Sequence, residues 1–333
     1  YTQLDKKWNR FNISLGARYE IFRLHSKDKY FIDGDSINDI SSNKPVFRTG
    51  LNYQLAEATY LRASWGQGYR FPSMAELFIS TNQSGLEIYP NPELKAESGW
   101  SSEIGIKQGV KTGKWMGYID VAAFIQQYDD MMEFTFGNWG GIEKPYLGLG
   151  FKSVNVGSTQ ITGAELSLSG QGKINSNLTI NLIAGYSYMN PISLNLDEPY
   201  AEGYNGQEYT YKNSGSDSTM LKYRYKHIAK ADVEIIYKGI SLGGSMRYNS
   251  FMKNIDYIFT DNLVEELGIN GINEAREKFK NGDLIIDLRA GYQITKTARL
   301  GFIVNNLLNT EYMSRPANMM PPRSFATQLA LKI

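Results

Sequence analysis

Apolar and polar side chains alternate along stretch after stretch of this chain, and this period of two constrains the fold more than any other feature. Residues 11–21 read FNISLGARYEI, with an apolar or aromatic residue at every odd position and a polar residue, a charged residue or glycine at every even position. The pattern recurs, with single exceptions, at 178–188, 240–249 and 284–292. Such alternation is typical of β-strands that present one apolar face.

The connections between the alternating segments show a second regularity. Twelve segments are predicted as strands, at residues 8–24, 44–56, 59–70, 97–110, 115–135, 153–170, 176–190, 227–237, 240–250, 282–294, 298–306 and 323–333. The gaps between them alternate between long and short, the short ones lying at 57–58, 111–114, 171–175, 238–239 and 295–297. Short turns at one end of the strands and long loops at the other are typical of outer-membrane barrels. The sequence therefore predicts an all-β fold, an antiparallel transmembrane β-barrel.

A soluble β-sandwich or propeller is the alternative, since its strands also alternate. It does not explain the long and short connections, and the chain lacks a propeller-like repeat. Several segments are also longer than ten residues, whereas a soluble strand usually has about 5–6. In the barrel, the side chains predicted to face lipid are Ile180, Leu182, Leu242, Phe302 and Leu329.

Composition excludes several function classes. The chain has 333 residues, no cysteine, two histidines and a formal net charge of +1. Thiolate chemistry, a dense imidazole metal centre and a nucleic-acid partner are therefore not expected. No serine lies in a G-x-S-x-G motif, and the carboxylate pairs adjoin loops. We predict no enzyme activity, no catalytic residue, no metal site and no cofactor.

Three motifs, in order along the chain, narrow the prediction further. They are YRFP at 69–72, NPELKAE at 91–97 and NLLNTEY at 306–312, and GAEL at 163–166 is a fourth, shorter match. Together they resemble the C-terminal half of TonB-dependent outer-membrane receptors, and the resemblance covers essentially the whole chain. Locally, residues 73–78 predict one helical turn with Ser73 as N-cap and Glu76 at its third position, and 272–280 predict another short helix.

The resemblance implies a larger protein than this chain. Receptors of this family have roughly 22 strands around a plug that fills the lumen, so residues 1–333 are expected to be the C-terminal part of the barrel, without the plug and the N-terminal strands. The implied function is plug-gated uptake of an iron–siderophore or similar metal chelate in a Gram-negative outer membrane. Two alternatives stay open: a complete small passive pore, or a receptor-like barrel that serves as a structural partner in an envelope complex.

The resemblance also implies partners. They are outer-membrane lipid, the TonB energy-coupling complex acting through the N-terminal part, and a small-molecule or metal-chelate substrate, with a surface lipoprotein as a further candidate. Haem receptors of the family carry a histidine between the first two motifs, and residues 73–90 contain none. The expected substrate is therefore a siderophore-type chelate rather than haem.

Two sets of residues are predicted to contact other molecules. Aromatic and cationic side chains in the long loops suit a bulky, partly aromatic or anionic ligand, although the same side chains also suit loop packing. The predicted ligand-binding residues are Arg70, Trp139, Tyr146, Tyr204, Tyr211, Arg224 and Tyr225. Charges of both signs on the polar strand faces predict a wall that contacts the plug, made by Arg18, Arg62, Glu103, Glu165, Arg247 and Arg289.

Overall fold

The structure, a computed structural model, describes residues 1–32, 35–83, 86–261, 271–316 and 318–332. Parts of four predicted loops and the last residue of the final predicted strand lie outside these residues. The described helices are α1 (Met74–Phe78), α2 (Tyr211–Ser214) and α3 (Ile272–Lys278). None of the helices in this part of the chain combines the length and the apolar character that a membrane-spanning helix requires.

Most described residues belong to β-strands. The strands are β1 (Thr2–Trp8), β2 (Phe11–Ile32), β3 (Asp35–Ala56), β4 (Thr59–Arg70), β5 (Thr81–Gln83), β6 (Leu86–Tyr89), β7 (Glu97–Thr112), β8 (Lys114–Asp129), β9 (Met132–Asn138), β10 (Leu149–Asn155), β11 (Thr159–Lys173), β12 (Leu178–Ser193), β13 (Pro199–Glu202), β14 (Glu208–Thr210), β15 (His227–Tyr237), β16 (Ile240–Asn249), β17 (Asp283–Gln293), β18 (Ala298–Asn305) and β19 (Ser324–Leu331).

Thirteen of these strands form one antiparallel sheet in which each strand pairs with the next main-sheet strand along the chain. Its order is β1-β2-β3-β4-β7-β8-β11-β12-β15-β16-β17-β18-β19. This meander confirms the predicted barrel-type fold. In the described residues β1 pairs only with β2 and β19 pairs only with β18, so the sheet has two unpaired edges.

The short connections close tightly for local reasons. Between β15 and β16 the two central residues, Lys238 and Gly239, both have positive φ, at 46° and 85°. Such a turn matches the right-handed twist of the two strands that it joins. This end of the sheet is the short-turn end, and the opposite end is the long-loop end.

The observed strands differ from the predicted ones at four places. The structure adds β1, whose alternation is masked because Lys6 interrupts the row formed by Leu4 and Trp8, and all of its residues are exposed. β2 and β3 extend through most of the predicted first loop, at 25–43. The predicted strand 115–135 is divided, since Asp130 has a φ of 52° and the chain turns there from β8 into β9. The predicted strand 153–170 is divided too, because β10 ends at Asn155 and β11 begins at Thr159.

The long loops contain secondary structure of their own. β5, β6, β10 and β9 form a four-stranded sheet, and β13 pairs with β14. One apolar cluster buries Met131, Val154, Val156, Tyr211 and Leu221, and a second buries Leu77, Leu94 and Met132 against Leu24 and Ile40 of the main sheet. These clusters hold the loops in place at the long-loop end.

The two predicted helices are confirmed. At α1, Ser73 Oγ accepts a hydrogen bond from the Glu76 amide at 3.3 Å. The Ser73 amide donates in return to Glu76 Oε2 at 2.7 Å. This reciprocal capping box stabilises the short helix, because the first backbone N–H groups of any helix lack intrahelical acceptors.

Candidate functional site

The six charged residues predicted for the wall lie on one face of the main sheet. Directly paired residues of antiparallel strands share a face, and the register places Arg62 opposite Gly105, Glu165 opposite Ala122 and Arg289 opposite Gly243. We call this the polar face; it carries Arg18, Arg62, Glu103, Glu165, Arg247 and Arg289. The other face carries all five side chains predicted to face lipid. Contact of the polar face with a plug stays a prediction.

Most of the arginines on the polar face already have partners within the sheet. Arg62 Nε lies 2.7 Å from Glu103 Oε1, and its Nη1 lies 2.6 Å from Asp120 Oδ1. Arg18 pairs with Glu20. These side chains are partly exposed, so each pair adds at most about 1 kcal/mol to stability. Their main effect is to leave this part of the face with little uncompensated charge.

Glycines allow these arginines to lie flat across a neighbouring strand. Arg289 reaches from β17 over Gly243 of β16 to Asp232 of β15, with Nη1–Oδ2 at 2.6 Å and Nη2–Oδ1 at 2.7 Å. A Cβ at position 243 would lie 2.5 Å from Arg289 Nε. Arg62 crosses Gly105 in the same way. The strands thus supply both the charged residues and the glycines across which the arginines reach their carboxylate partners.

The long loops are joined by a buried polar network. Lys222 and Asp256 are each about 1% exposed, and Lys222 Nζ lies 2.8 Å from Asp256 Oδ1. Thr135 Oγ1 donates to Asp256 Oδ1 at 2.6 Å and accepts from Lys222 Nζ at 2.9 Å, while the Tyr223 hydroxyl donates to Asp256 Oδ2 at 2.6 Å. Three segments thus meet at one ion pair, and we call them the loop cap: residues 131–156, 191–226 and 250–261.

The electrostatics of the loop cap favour the charged form of Lys222. Burial lowers the pKa of Lys222, but attraction to Asp256 and Glu133 outweighs burial and leaves this pKa above its usual value. The same burial raises the pKa of Glu133, against the attraction of Lys222 and Arg224. Because the Lys222 pKa is raised, its stabilising effect is complete throughout the neutral range and would be lost only as the pH rises through that pKa.

Tyr211 does not belong to an exposed ligand surface, contrary to the sequence-based expectation. Its side chain is 0% exposed. The hydroxyl accepts a hydrogen bond from the Lys222 amide at 2.8 Å and donates to the Glu133 carboxylate at 3.2 Å. An aromatic ring in a loop can equally form the core of that loop, and Tyr211 does so.

Arg70, another residue predicted to bind ligand, is already paired with two carboxylates of the chain. Its Nη1 lies 2.9 Å from Glu76 Oε1, and its Nε lies 3.7 Å from Glu97 Oε1. Glu76 comes from α1 and Glu97 begins β7, so Arg70 joins the end of β4 to both. Arg70 and Glu97 belong to the first two sequence motifs, whose observed role is to shape this loop.

The other predicted aromatic residues differ in exposure. Trp139 packs against the buried cluster and lies 5.0 Å, between ring centroids, from Tyr209. Tyr204 is 63% exposed and Tyr146 is 36% exposed. Among the predicted aromatic residues, Tyr204 and Tyr146 are therefore the most exposed to solvent.

The last two predicted residues lie beside the buried network. Arg224 is half-buried and donates to the carbonyl oxygens of Lys222 and Tyr223 at 3.4 and 3.5 Å. Both acceptors are neutral carbonyls, and in the described residues no carboxylate lies within 4 Å of the Arg224 guanidinium. Tyr225 is also half-buried, and its hydroxyl donates to the Ser314 carbonyl at 3.4 Å. Arg224 remains the predicted loop residue best suited to an anion.

Two open cavities flank these residues. One, of about 430 Å³, lies between the NPELKAE motif, β10 and residues 195–202, and its charged lining residues are Glu93, Lys95, Asp130, Lys152, Glu198 and Glu202. The other, of about 360 Å³, lies along the polar face at the long-loop ends of β4 and β7 and includes Arg48, Arg70 and Tyr128. Neither cavity could be identified from the sequence, since each joins segments that are distant along the chain.

The fold and its two faces define an outer-membrane β-barrel wall with an ordered extracellular cap. The family model described as "TonB dependent receptor-like, beta-barrel" matches residues 1–307. The chain belongs to this family of TonB-dependent receptors, whose members are β-barrels of the Gram-negative outer membrane. The long-loop end is accordingly extracellular, and the apolar face is the one that suits lipid.

Curated relatives match part of the chain. Hemoglobin and hemoglobin-haptoglobin-binding protein A of Haemophilus influenzae is 23% identical over 209 residues, which cover 52% of this chain and 19% of that protein. Hemoglobin-haptoglobin utilization protein B of Neisseria meningitidis serogroup C is 26% identical over 136 residues, covering 38% and 16%. The chain thus spans less than a fifth of either relative.

Solved structures match nearly the whole chain in fold. The copper transporter OprC has a TM-score of 0.64 at 15% identity, with coverage of 99% of this chain and 46% of that one. The siderophore receptor PiuA from Acinetobacter baumannii has a TM-score of 0.63 at 16% identity, with coverage of 97% and 41%. The chain spans less than half of either structure.

Proposed function

We propose that this chain is the C-terminal part of the barrel of a longer receptor that imports a bulky iron–siderophore or similar metal chelate. In this proposal the loop cap captures the chelate, a plug supplied by the N-terminal part gates the lumen, and the TonB complex energises transport. A surface lipoprotein or envelope complex remains a further candidate partner.

The observation that carries the proposal is the combination of a family-typical wall with an ordered extracellular cap. The match over residues 1–307 gives the class of protein, and the two unpaired edges at β1 and β19 suit a sheet that continues into further strands. The chain also spans less than half of the similar receptor structures. These facts support a partial barrel in preference to a complete small pore.

The exposed loop residues support a large chelate as substrate. Tyr204 and Tyr146 offer aromatic surface, and the half-buried Arg224 offers a cation without a carboxylate within 4 Å among the described residues. Aromatic rings and a guanidinium can bind the flat, electron-rich groups that chelate iron. The fold similarity to a siderophore receptor is consistent with this class.

A second candidate substrate is haem iron carried by haemoglobin. The observation that favours it is the similarity to the haemoglobin–haptoglobin-binding proteins of Haemophilus and Neisseria. The absence of histidine from residues 73–90 motivates our preference for a siderophore-type chelate. Both substrate classes therefore enter the test.

Binding by the full-length receptor tests the proposal. We expect a ferric catecholate or ferric hydroxamate to bind, and Tyr204→Ala and Arg224→Ala each to weaken that binding about 30-fold, since an aromatic or arginine anchor contributes about 2 kcal/mol or more. Titration calorimetry would measure the affinities, with haemin and haemoglobin as competing candidates. The matched control is Arg18→Ala on the polar face, where Arg18 already pairs with Glu20.

The Arg18→Ala control distinguishes binding at the loop cap from a general effect of removing an arginine. Equal losses for Arg18→Ala and the loop variants, or no loss for either loop variant, would contradict binding at the loop cap. Binding of haemoglobin alone would replace the chelate with the second candidate.

A further inference from the structure

We propose that Lys230 and Arg247 form an anion-binding site on the polar face, below the loop cap, and that the imported chelate is therefore one that carries negative charge. This inference rests on the proposed function and specifies its substrate class. The two residues lie directly opposite each other in the β15–β16 ladder. Both are exposed.

Their arrangement is unfavourable without an added anion. Like charges directly opposite each other on antiparallel strands repel and destabilise the pairing. Within the described residues, neither Lys230 nor Arg247 has a carboxylate within the 4.0 Å of an ion pair. The pair thus contrasts with Arg18, Arg62 and Arg289 on the same face, each of which has a carboxylate partner.

Four carboxylates lie near the pair on the polar face, and none of them forms an ion pair with it in the described residues. Asp232, two residues along β15 from Lys230, receives both hydrogen bonds of Arg289. Asp283 and Asp287 both lie diagonally from Arg247, and Asp287 accepts from the Asn306 amide at 2.7 Å. Glu165, two strands away from Lys230, accepts from Ser187 Oγ at 3.1 Å. The sheet therefore pairs Arg18, Arg62 and Arg289 with carboxylates but leaves Lys230 and Arg247 without a carboxylate within 4 Å among the described residues.

The surroundings give an anion room to reach the pair. Gly185 lies beside Lys230 in the register, and only one atom, the Leu166 carbonyl oxygen at 3.8 Å, would lie within 4 Å of a Cβ added there. Lys230 is three residues along β15 from His227, which places it about 10 Å below the end of the strand. A ligand leaving the loop cap would meet the pair early on its path.

The chemistry of the pair selects oxygen anions. A guanidinium binds a carboxylate, phosphate or catecholate edge through two parallel N–H donors, and the lysine ammonium adds a compact charge beside it. A neutral ferric hydroxamate would gain little from either group. The pair thus distinguishes chelates of similar size by their charge.

The test compares two chelates on the full-length receptor. We expect Lys230→Gln and Arg247→Gln each to weaken binding of an anionic ferric catecholate about tenfold, as for a charged hydrogen bond, and to leave a neutral ferric hydroxamate unaffected. Lys230→Arg, which keeps the charge, should bind the catecholate as the unmodified receptor does. Added salt should reduce the difference in catecholate affinity between the Gln variants and the unmodified receptor. The matched control is Arg18→Gln, which removes a paired cation from the same face.

Several outcomes would overturn the inference. Equal losses for both chelates, or no loss for the catecholate, would contradict an anion site for the substrate. A lower melting temperature of the ligand-free variants with unchanged binding would instead assign the pair to a carboxylate of the receptor's own lumen-filling segment. In each of these outcomes, TonB-dependent uptake of the hydroxamate would still report on the proposed function itself.

A second measurement tests the site without any chelate. Because the chain has no cysteine, Ser245→Cys places a single reporter thiol in this segment of the receptor, two residues from Arg247 on the same face. We expect a negatively charged thiol reagent to label it several-fold faster than a positively charged one, and this preference to vanish when Lys230→Gln and Arg247→Gln are added. An unchanged ratio of labelling rates would refute an accessible anion site.

Discussion

Lys222→Met is expected to destabilise the loop cap by about 3–5 kcal/mol, because it leaves the buried Asp256 carboxylate without its cation. Lys222 and Asp256 are each about 1% exposed and lie 2.8 Å apart. Thr135 and Tyr223, which donate to the same carboxylate, cannot neutralise it. The expected result is rapid hydrogen exchange of the amides in residues 211–226 and 250–256 of the full-length receptor.

The chain offers a matched control for this change. Lys212→Met removes another loop lysine that pairs with a carboxylate, Asp197 at 2.9 Å, but both of those side chains are exposed. We expect exchange in the loop cap to be unaffected by it. Protection that persists in Lys222→Met would mean that the buried pair does not hold the loop cap together.

Leu182→Arg is expected to destabilise the folded barrel by about 2–4 kcal/mol, the cost of an arginine near the middle of the lipid layer. Leu182 lies on the apolar face, paired with Val233. The adjacent Asn181 lies on the polar face and donates to Glu234 at 3.2 Å, so Asn181→Arg should cost little. Urea unfolding of the full-length receptor in liposomes would measure both changes.

The comparison of neighbours tests which face meets lipid. The two substitutions introduce the same side chain one residue apart on β12. A difference in stability between them therefore reports on the face of the sheet and not on the arginine itself. A larger loss for Asn181→Arg than for Leu182→Arg would reverse the assignment of the two faces.

The wall could be predicted from the sequence because its signal is local. Residues 11–21 alternate without exception, and a one-residue shift of register would move every apolar side chain to the wrong face. The pattern therefore fixes strands and faces together. β1 was missed because Lys6 stands in its apolar row, where an exposed strand end tolerates a charge.

The loop cap could not be predicted in the same way. The partners of Lys222 are Thr135 and Asp256, at sequence separations of 87 and 34 residues, and no local pattern connects them. A sequence that shows cations and tyrosines in loops allows either ligand contact or burial. For Tyr211 and Arg70 the outcome depends on long-range packing, with Glu133 for the first and Glu76 and Glu97 for the second.

Charge pairing on the wall could be predicted only in part. The sequence shows the alternating signs, but the reach of Arg289 across Gly243 to Asp232 depends on the register of three strands. The same register separates Lys230 and Arg247 from the neutralised arginines. A small difference in strand register thus changes which charged residues lack a carboxylate partner and can contact a ligand.

Energised uptake is the central claim, and iron uptake by whole cells tests it most directly. Cells that produce the full-length receptor would be given a radiolabelled ferric chelate, with TonB either present or deleted. We predict saturable uptake with TonB and uptake no greater than that of receptor-free cells without it. Uptake that exceeds the receptor-free level and is unaffected by TonB deletion would contradict this claim and indicate a passive pore.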